Sequence, residues 1–236
     1  MSLRSIASIA IVAAATSTAG AELIAGWEIV TAFPTGAGNV PTGTTYTVGA
    51  ANLGANAVGS ELLSVHQLAA ATYTSPAGNG SQYAFSSNNW LTGDYYEARV
   101  STLGYSGVEL SWDQARSSTG AKQFELIMSV DGGSNWTTVL ATYDVLQSGG
   151  GGAPGTWSAS GAYNPIYTTV ASLGAMADNQ SEVIVRWRAL VDAVSSTGAY
   201  AASGSVRIDN VMFNSIPAPG AVALLGLAGL AARRRR

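Results

Sequence analysis

Along residues 183–191 the side chains alternate: Val183, Val185, Trp187, Ala189 and Val191 fall on one face, Arg186 and Arg188 on the other. A period of two puts the bulky apolar groups on one side of an extended ribbon, as a half-buried strand requires, and does not fit a helix of about 3.6 residues per turn. The rhythm recurs. Phe124, Leu126, Met128 and Val130 alternate with Glu125 and Ser129, and Val108, Leu110 and Trp112 alternate with Glu109, Ser111 and Asp113. Between Glu22 and Ile216 no segment keeps a helical period for three turns. Asp131-Gly132-Gly133-Ser134 separates 122–130 from 136–143, and its glycines supply the positive φ of a hairpin. Ser117-Ser118-Thr119-Gly120 separates 108–114 from 122–130 and reads as a reversal of the same kind. The body is therefore expected to be all-β.

The closing segment adds a detail. Val206 and Ile208 share one parity and Val211 and Phe213 the other, so the inward set flips at Asp209-Asn210. One extra residue in a strand does this, and a β-bulge is expected there. Residues 34–60, rich in Gly, Ala and Asn, read as long loops with short strands. Gly149 to Gly152, with Pro154-Gly155, reads as a flexible loop. The Ser-Ser-Thr-Gly-Ala string at 117–121 recurs at 195–199 with different flanks, which is shared turn chemistry and not a repeat. Nothing between 22 and 216 is long enough to link two domains.

Composition removes several kinds of chemistry. The 236 residues contain no Cys and one His, so disulfides, thiol nucleophiles and Cys- or His-cluster metal sites are excluded. Within 22–216, six basic residues face fourteen acidic ones, a net charge of −8. No basic patch is available to neutralise phosphates, so nucleic acid is not an expected partner. Acidic polysaccharide is disfavoured for the same reason, unless a cation bridges the two.

The two ends read as addresses. Arg4 precedes an apolar run from Ile6 to Ala15, and Ala19-Gly20-Ala21 offers the small-x-small site that signal peptidase cuts; residues 1–21 are a secretory signal. Residues 217–236 begin Pro217-Ala218-Pro219-Gly220, continue through twelve residues without a polar side chain and end in Arg233, Arg234, Arg235 and Arg236. Twelve helical residues reach only about 18 Å against a hydrocarbon core of about 30 Å. The arginines favour the cytoplasmic side. A transient inner-membrane contact is expected rather than a permanent span.

This tail resembles the PEP-CTERM sorting signal, with Ala218 where the family motif has Glu. The resemblance implies an exosortase-like membrane protease as partner, removal of the tail, and a place at the cell surface or outside it. Arg207-Ile208-Asp209-Asn210-Val211-Met212-Phe213 resembles the closing strand of jelly-roll sandwiches in surface proteins and carbohydrate-binding modules. Arg116 to Phe124 and Ser129 to Gly133 are similar to sandwich domains of PEP-CTERM surface proteins. These resemblances imply a two-sheet antiparallel, jelly-roll-like sandwich of eight to ten strands with adjacent first and last strands, between a signal helix and a short C-terminal apolar helix.

Candidate functional residues follow from the same reading. In jelly-roll binding modules an Asp of the closing strand helps hold a structural calcium with an acid near the first strand, which implies Asp209 with Glu28 here; local backbone bonding at the bulge is the alternative. Asp131 with Asn135 is a second oxygen pair, although Asp-Gly-Gly is first a turn. Trp90, Trp136 and Trp157 sit among Asn, Gly, Ser and Thr, outside the inward alternation, and read as exposed faces on which a sugar ring can stack. Arg116 is expected to bridge to Asp113 or Asp131. Glu97, Glu109, Glu125 and Asp113 are the carboxylates a glycosidase would draw on, but no spacing sets a pair apart. His66 reads as a solvated or internally satisfied side chain, and the Asn-x-Ser/Thr triplets at 79, 135 and 179 as coincidence. The expected function is a non-enzymatic structural or adhesive surface protein, with a module binding extracellular polysaccharide as the alternative and a surface glycoside hydrolase or lyase third.

Overall fold

The computed structural model describes residues 21–32, 40–149, 153–158, 163–191 and 200–217. The signal, the apolar tail with its arginines, Pro219 and Gly220, and the second Ser-Ser-Thr-Gly-Ala string lie outside these residues. Among them no α-helix occurs, and no helix is long and apolar enough to cross a membrane.

Among the described residues twelve strands form two antiparallel sheets, more than the eight to ten expected, and short strands such as β2 (Thr45–Gly49) and β4 (Tyr73–Thr74) are among them. The first sheet runs β10 (Thr168–Ser172), β7 (Tyr105–Arg116), β12 (Ser205–Pro217), β5 (Phe85–Asn88), β4, with β1 (Glu22–Trp27) also on β12. The second runs β2, β3 (Glu61–Val65), β6 (Tyr95–Val100), β11 (Val183–Val191), β8 (Gln123–Ser129), β9 (Thr137–Asp144). First and last strands are neighbours: Glu22 lies opposite Ser215 and Trp27 opposite Val211.

The alternation that predicts the strands also builds the core. Trp112 of the first sheet meets Trp187 of the second edge-on, with ring centroids 5.7 Å apart. Val108, Leu110, Phe124, Leu126, Val183 and Val185 are fully buried beside them. Each large apolar side chain removed from water contributes about 1.5–3 kcal/mol before chain entropy is counted. The parity flip is a bulge: the β12–β7 register shifts between Asp209 and Met212, and Asn210 has φ +46°. Val206, Ile208, Val211 and Phe213 are all buried, so the extra residue returns the second half of β12 to the core.

The Asp131 turn is a hairpin between β8 and β9, with Gly132 at φ +71°. The 117–120 segment is not. It carries the chain from β7 in the first sheet to β8 in the second, so it turns a corner between layers. Turn composition is the same for both, and only the partners of the flanking strands separate them.

Candidate functional site

The first sheet's outer face carries a pair of buried acids. Asp209 and Asp113 are cross-strand partners on β12 and β7, each 1% exposed. Asp209, of opposite parity to the inward Val206 and Ile208, lies outward under the 75–84 loop, where Asn79 N–H (2.9 Å) and Ser81 Oγ–H (2.6 Å) donate to its Oδ2. Asp113 Oδ2 accepts from Asn79 Nδ2 (2.9 Å) and Asn210 Nδ2 (2.7 Å), and its Oδ1 from Thr168 Oγ1 (2.5 Å). Asn79 Oδ1 in turn accepts from Asn164 N–H (3.0 Å), so two loops and three strands close over the pair. A Cβ on Gly78 would lie 2.5 Å from Asp209 Oδ2, so only glycine lets the loop backbone approach this closely. Every donor is neutral. Burial raises the Asp209 carboxyl to about 6, against the bonds from Ser81 and Asn79 and with a push from Asp113; burial raises Asp113 as well.

Asp209 does not meet Glu28. The Glu28 backbone exchanges hydrogen bonds with the Asn52 side chain, and the acid facing Asp209 is Asp113. Calcium takes about six to eight oxygens. Here N–H and O–H donors already occupy the inner carboxylate oxygens, and Asp209 Oδ1 is the buried oxygen without a partner. No group of three His, Cys, Asp or Glu side chains among the described residues is placed to hold a metal. As arranged, these residues do not fit a calcium cage. The Asp131–Asn135 pair does not either: Asn135 donates through N–H (2.9 Å) and Nδ2 (2.7 Å) to the Asp131 carboxylate, which these bonds lower to about 2.

The second sheet's outer face buries its acids with arginine. Glu97 is fully buried; its Oε1 accepts from Arg99 Nε at 2.6 Å and its Oε2 pairs with Arg186. Glu125 pairs with Arg188. The Arg186 guanidinium lies between the rings of Tyr95 (4.0 Å) and Trp136 (4.2 Å). Glu97 and Glu125 therefore hold arginines, and Asp113 holds neutral donors. None of the three is presented to solvent as a catalytic acid.

The three tryptophans separate. Trp90 is not an exposed face but fully buried, donating through Nε1 to Ser87 O (2.9 Å) and packing on His66, Tyr96 and Phe124. It follows β5 and folds back into the end of the core, where strand alternation carries no information. Trp136 is half-buried on the second sheet's outer face. Trp157, also half-buried, covers the first, with its Nε1 on Ala77 O (2.7 Å) and its ring over Arg207 and against Tyr167. Trp136 and Trp157 lie on opposite faces and do not form one stacking platform.

His66 is satisfied, in an arrangement the sequence does not announce. Its Nδ1 lies 3.0 Å from Asp94 Oδ2 and its Nε2 3.1 Å from Ser87 Oγ, the order of nucleophile, base and orienting acid. All three residues are 2% exposed or less and the His66 ring packs on Tyr73 and Trp90, which makes the constellation a structural tie between β5 and the 89–94 loop. Arg116 bridges neither Asp113 nor Asp131. Its Nε donates to Val145 O (3.0 Å) and its Nη1 to Ser117 O (3.1 Å) and Ser118 O (3.2 Å), because the inter-sheet corner directs carbonyls, not carboxylates, at it.

No family model matches the chain, and no curated protein matches it. Among solved structures it is similar to the K3 cleaved adhesin domain of Lys-gingipain from Porphyromonas gingivalis, at 16% identity over 58% of this chain and 76% of that one, with a TM-score of 0.37. It is also similar to the CBM22-1–GH10 modules of Clostridium thermocellum xylanase 10B (15% identity, 82% and 29% coverage, TM-score 0.36). A third is a carbohydrate-binding module specific for non-crystalline cellulose (15%, 60% and 79%, TM-score 0.34). Identity and TM-score are too low for these likenesses to carry function.

Proposed function

We propose that this chain is an exported, non-enzymatic protein of the cell surface or extracellular matrix, in which one β-sandwich serves as a structural or adhesive unit. The observation that carries this reading is where the two ends leave the domain. Glu22, the first residue after the signal-peptidase site, pairs with Ser215, two residues before Pro217 of the tail. The start of β1 and the end of β12, from which signal and tail continue, therefore lie side by side at one end of the first sheet's strands. A chain held by its tail after signal cleavage presents the rest of the sandwich away from its attachment point, as an adhesive unit requires. The acids weighed for glycoside hydrolysis are consumed in ion pairs or hydrogen bonds, apart from the exposed Glu109, which supports a non-enzymatic role.

Cell fractionation and intact mass of the protein from its native host test this reading. The expected species starts at Glu22, ends close to Pro217, and is found at the surface or in the medium. A species that keeps Arg233–Arg236 in the inner membrane overturns tail-directed sorting. Intracellular protein with residues 1–21 intact overturns export.

A further inference from the structure

Arg116 is the one buried guanidinium of the corner between β7 and β8, and its surroundings are incomplete. The side chain is 2% exposed, yet no carboxylate pairs with it; burial lowers its pKa, and Asp144, the acid that pulls the other way, is bonded to Lys122 at 2.8 Å. Nε and both Nη1 protons are spent on the carbonyls of Val145, Ser117 and Ser118. Among the described residues Nη2, with two N–H donors, has no partner. Arg116 lines a cavity of about 260 Å³ together with Lys122, Asp144, Leu146, Gln147 and Pro154. A guanidinium fixed by backbone acceptors, with Nη2 the donor left for the cavity it lines, is preorganised for a planar carboxylate, because the ordering is complete before the ligand arrives.

We infer that this cavity binds a single carboxylate-bearing sugar, with the carboxylate on Arg116 Nη2 and Lys122 Nζ. The Lys122 ammonium has three donors and spends one on Asp144. The cavity is several times the roughly 30 Å³ share of one water, so a bare inorganic anion leaves most of it unfilled. Its walls suit a sugar ring: Asp144 offers a polar partner for hydroxyls, and Leu146 and Pro154 an apolar surface for a C–H face. The net charge of −8 over 22–216 selects against a polyanion with a carboxylate on every residue, while leaving one carboxylate to the local pair of cations. Nothing in this depends on export or on tail processing, so its failure leaves the proposed function where it stands.

The test is a titration of the ¹⁵N-labelled full chain with sodium glucuronate, with glucose, acetate, sulfate and polygalacturonate as separate arms, read on the Arg116 Nε–H resonance. Glucuronate is expected to give a saturable shift, glucose none, and the other three a markedly weaker response. Lys122→Met is expected to weaken glucuronate about two- to fivefold, the worth of a partly exposed ion pair, and Arg116→Gln, read on the backbone N–H resonances of residues 144–147 because it has no Nε–H, to abolish it. If Arg116→Gln does not fold, because three buried carbonyls lose their donor, the Lys122→Met series and the resonance decide alone. An unmoved resonance, glucose binding as well as glucuronate, equal responses to sulfate and glucuronate, or full affinity in Lys122→Met each overturns the assignment.

Discussion

The two outer faces bury carboxylates in opposite ways. On the second sheet Glu97 is held between two counter-charges, Arg99 and Arg186. On the first, Asp209 and Asp113 face each other with only neutral donors around them. A charged acid in a dry site is tolerated when a cation faces it; without one, the site favours the proton. The second face should therefore fail when a charge is removed, and the first should improve.

Glu97→Gln gives the largest effect. It leaves Arg99 and Arg186 with a neutral group that offers one acceptor where two charged ones stood. Breaking a buried pair by removing one partner costs about 3–5 kcal/mol; the arginine side chains are 40% and 23% exposed, which puts this case near 3 kcal/mol. The urea unfolding midpoint reads it directly. A loss under about 1 kcal/mol would show that water reaches Glu97 and that the faces do not differ as described.

The first face is tested by pH. The Asp209 carboxyl stands at about 6 in the folded chain against an ordinary 3.8, so the folded state holds the proton more tightly. Its stabilising contribution is complete below about 4 and is lost as pH rises through about 6, on the order of 3 kcal/mol in all. Asp113, also raised, acts in the same direction. Unfolding free energy is therefore expected to fall between pH 4 and pH 6.5. Asp209→Asn should flatten that slope and be no less stable than the wild type at pH 7.5. A wild-type profile that rises across this window would mean that the pair is ionised and held by something other than the donors described.

How far each face was legible from the sequence depended on how local its cause is. Strand alternation fixed the core faces of β7, β8 and β11 and the outward side of Asp209, and the parity change at Asp209-Asn210 located the bulge that follows it. Both are properties of neighbouring residues. Asp113 has the same polar, outward pattern as Glu109. It is buried because the loops bearing Asn79, Ser81 and Asn164 fold over it, contacts spanning 34 positions or more in the chain. Trp90 was misplaced for a related reason, since it lies past the end of a strand, where alternation no longer reports direction. A carboxylate partner is the expectation for Arg116 because it lies near a strand end within reach, by sequence, of Asp113 and Asp131. Its carbonyl partners come from a corner whose composition is that of a hairpin, and only sheet membership tells the two apart.

Arg188→Ala is the smallest of these effects and separates burial of an acid from burial of its cover. Glu125 is 10% exposed in its side chain and Arg188 44%, so the arginine lies between the carboxylate and solvent. Removing it deletes the counter-charge and the lid together, and the acid is rehydrated rather than stranded. The expected loss is about 0.5–1 kcal/mol, close to a surface pair and sensitive to salt. Glu97→Gln differs because it leaves behind two guanidiniums, diagonal neighbours on β6 and β11, that shared the one carboxylate. A double-mutant cycle of Arg188→Ala with Glu125→Gln should return a coupling within the same range, and one that shrinks in 1 M NaCl. A loss above about 2 kcal/mol, unchanged by salt, would mean that Glu125 stays dry without Arg188, and the second face would then bury its acids more deeply than its arginines alone account for.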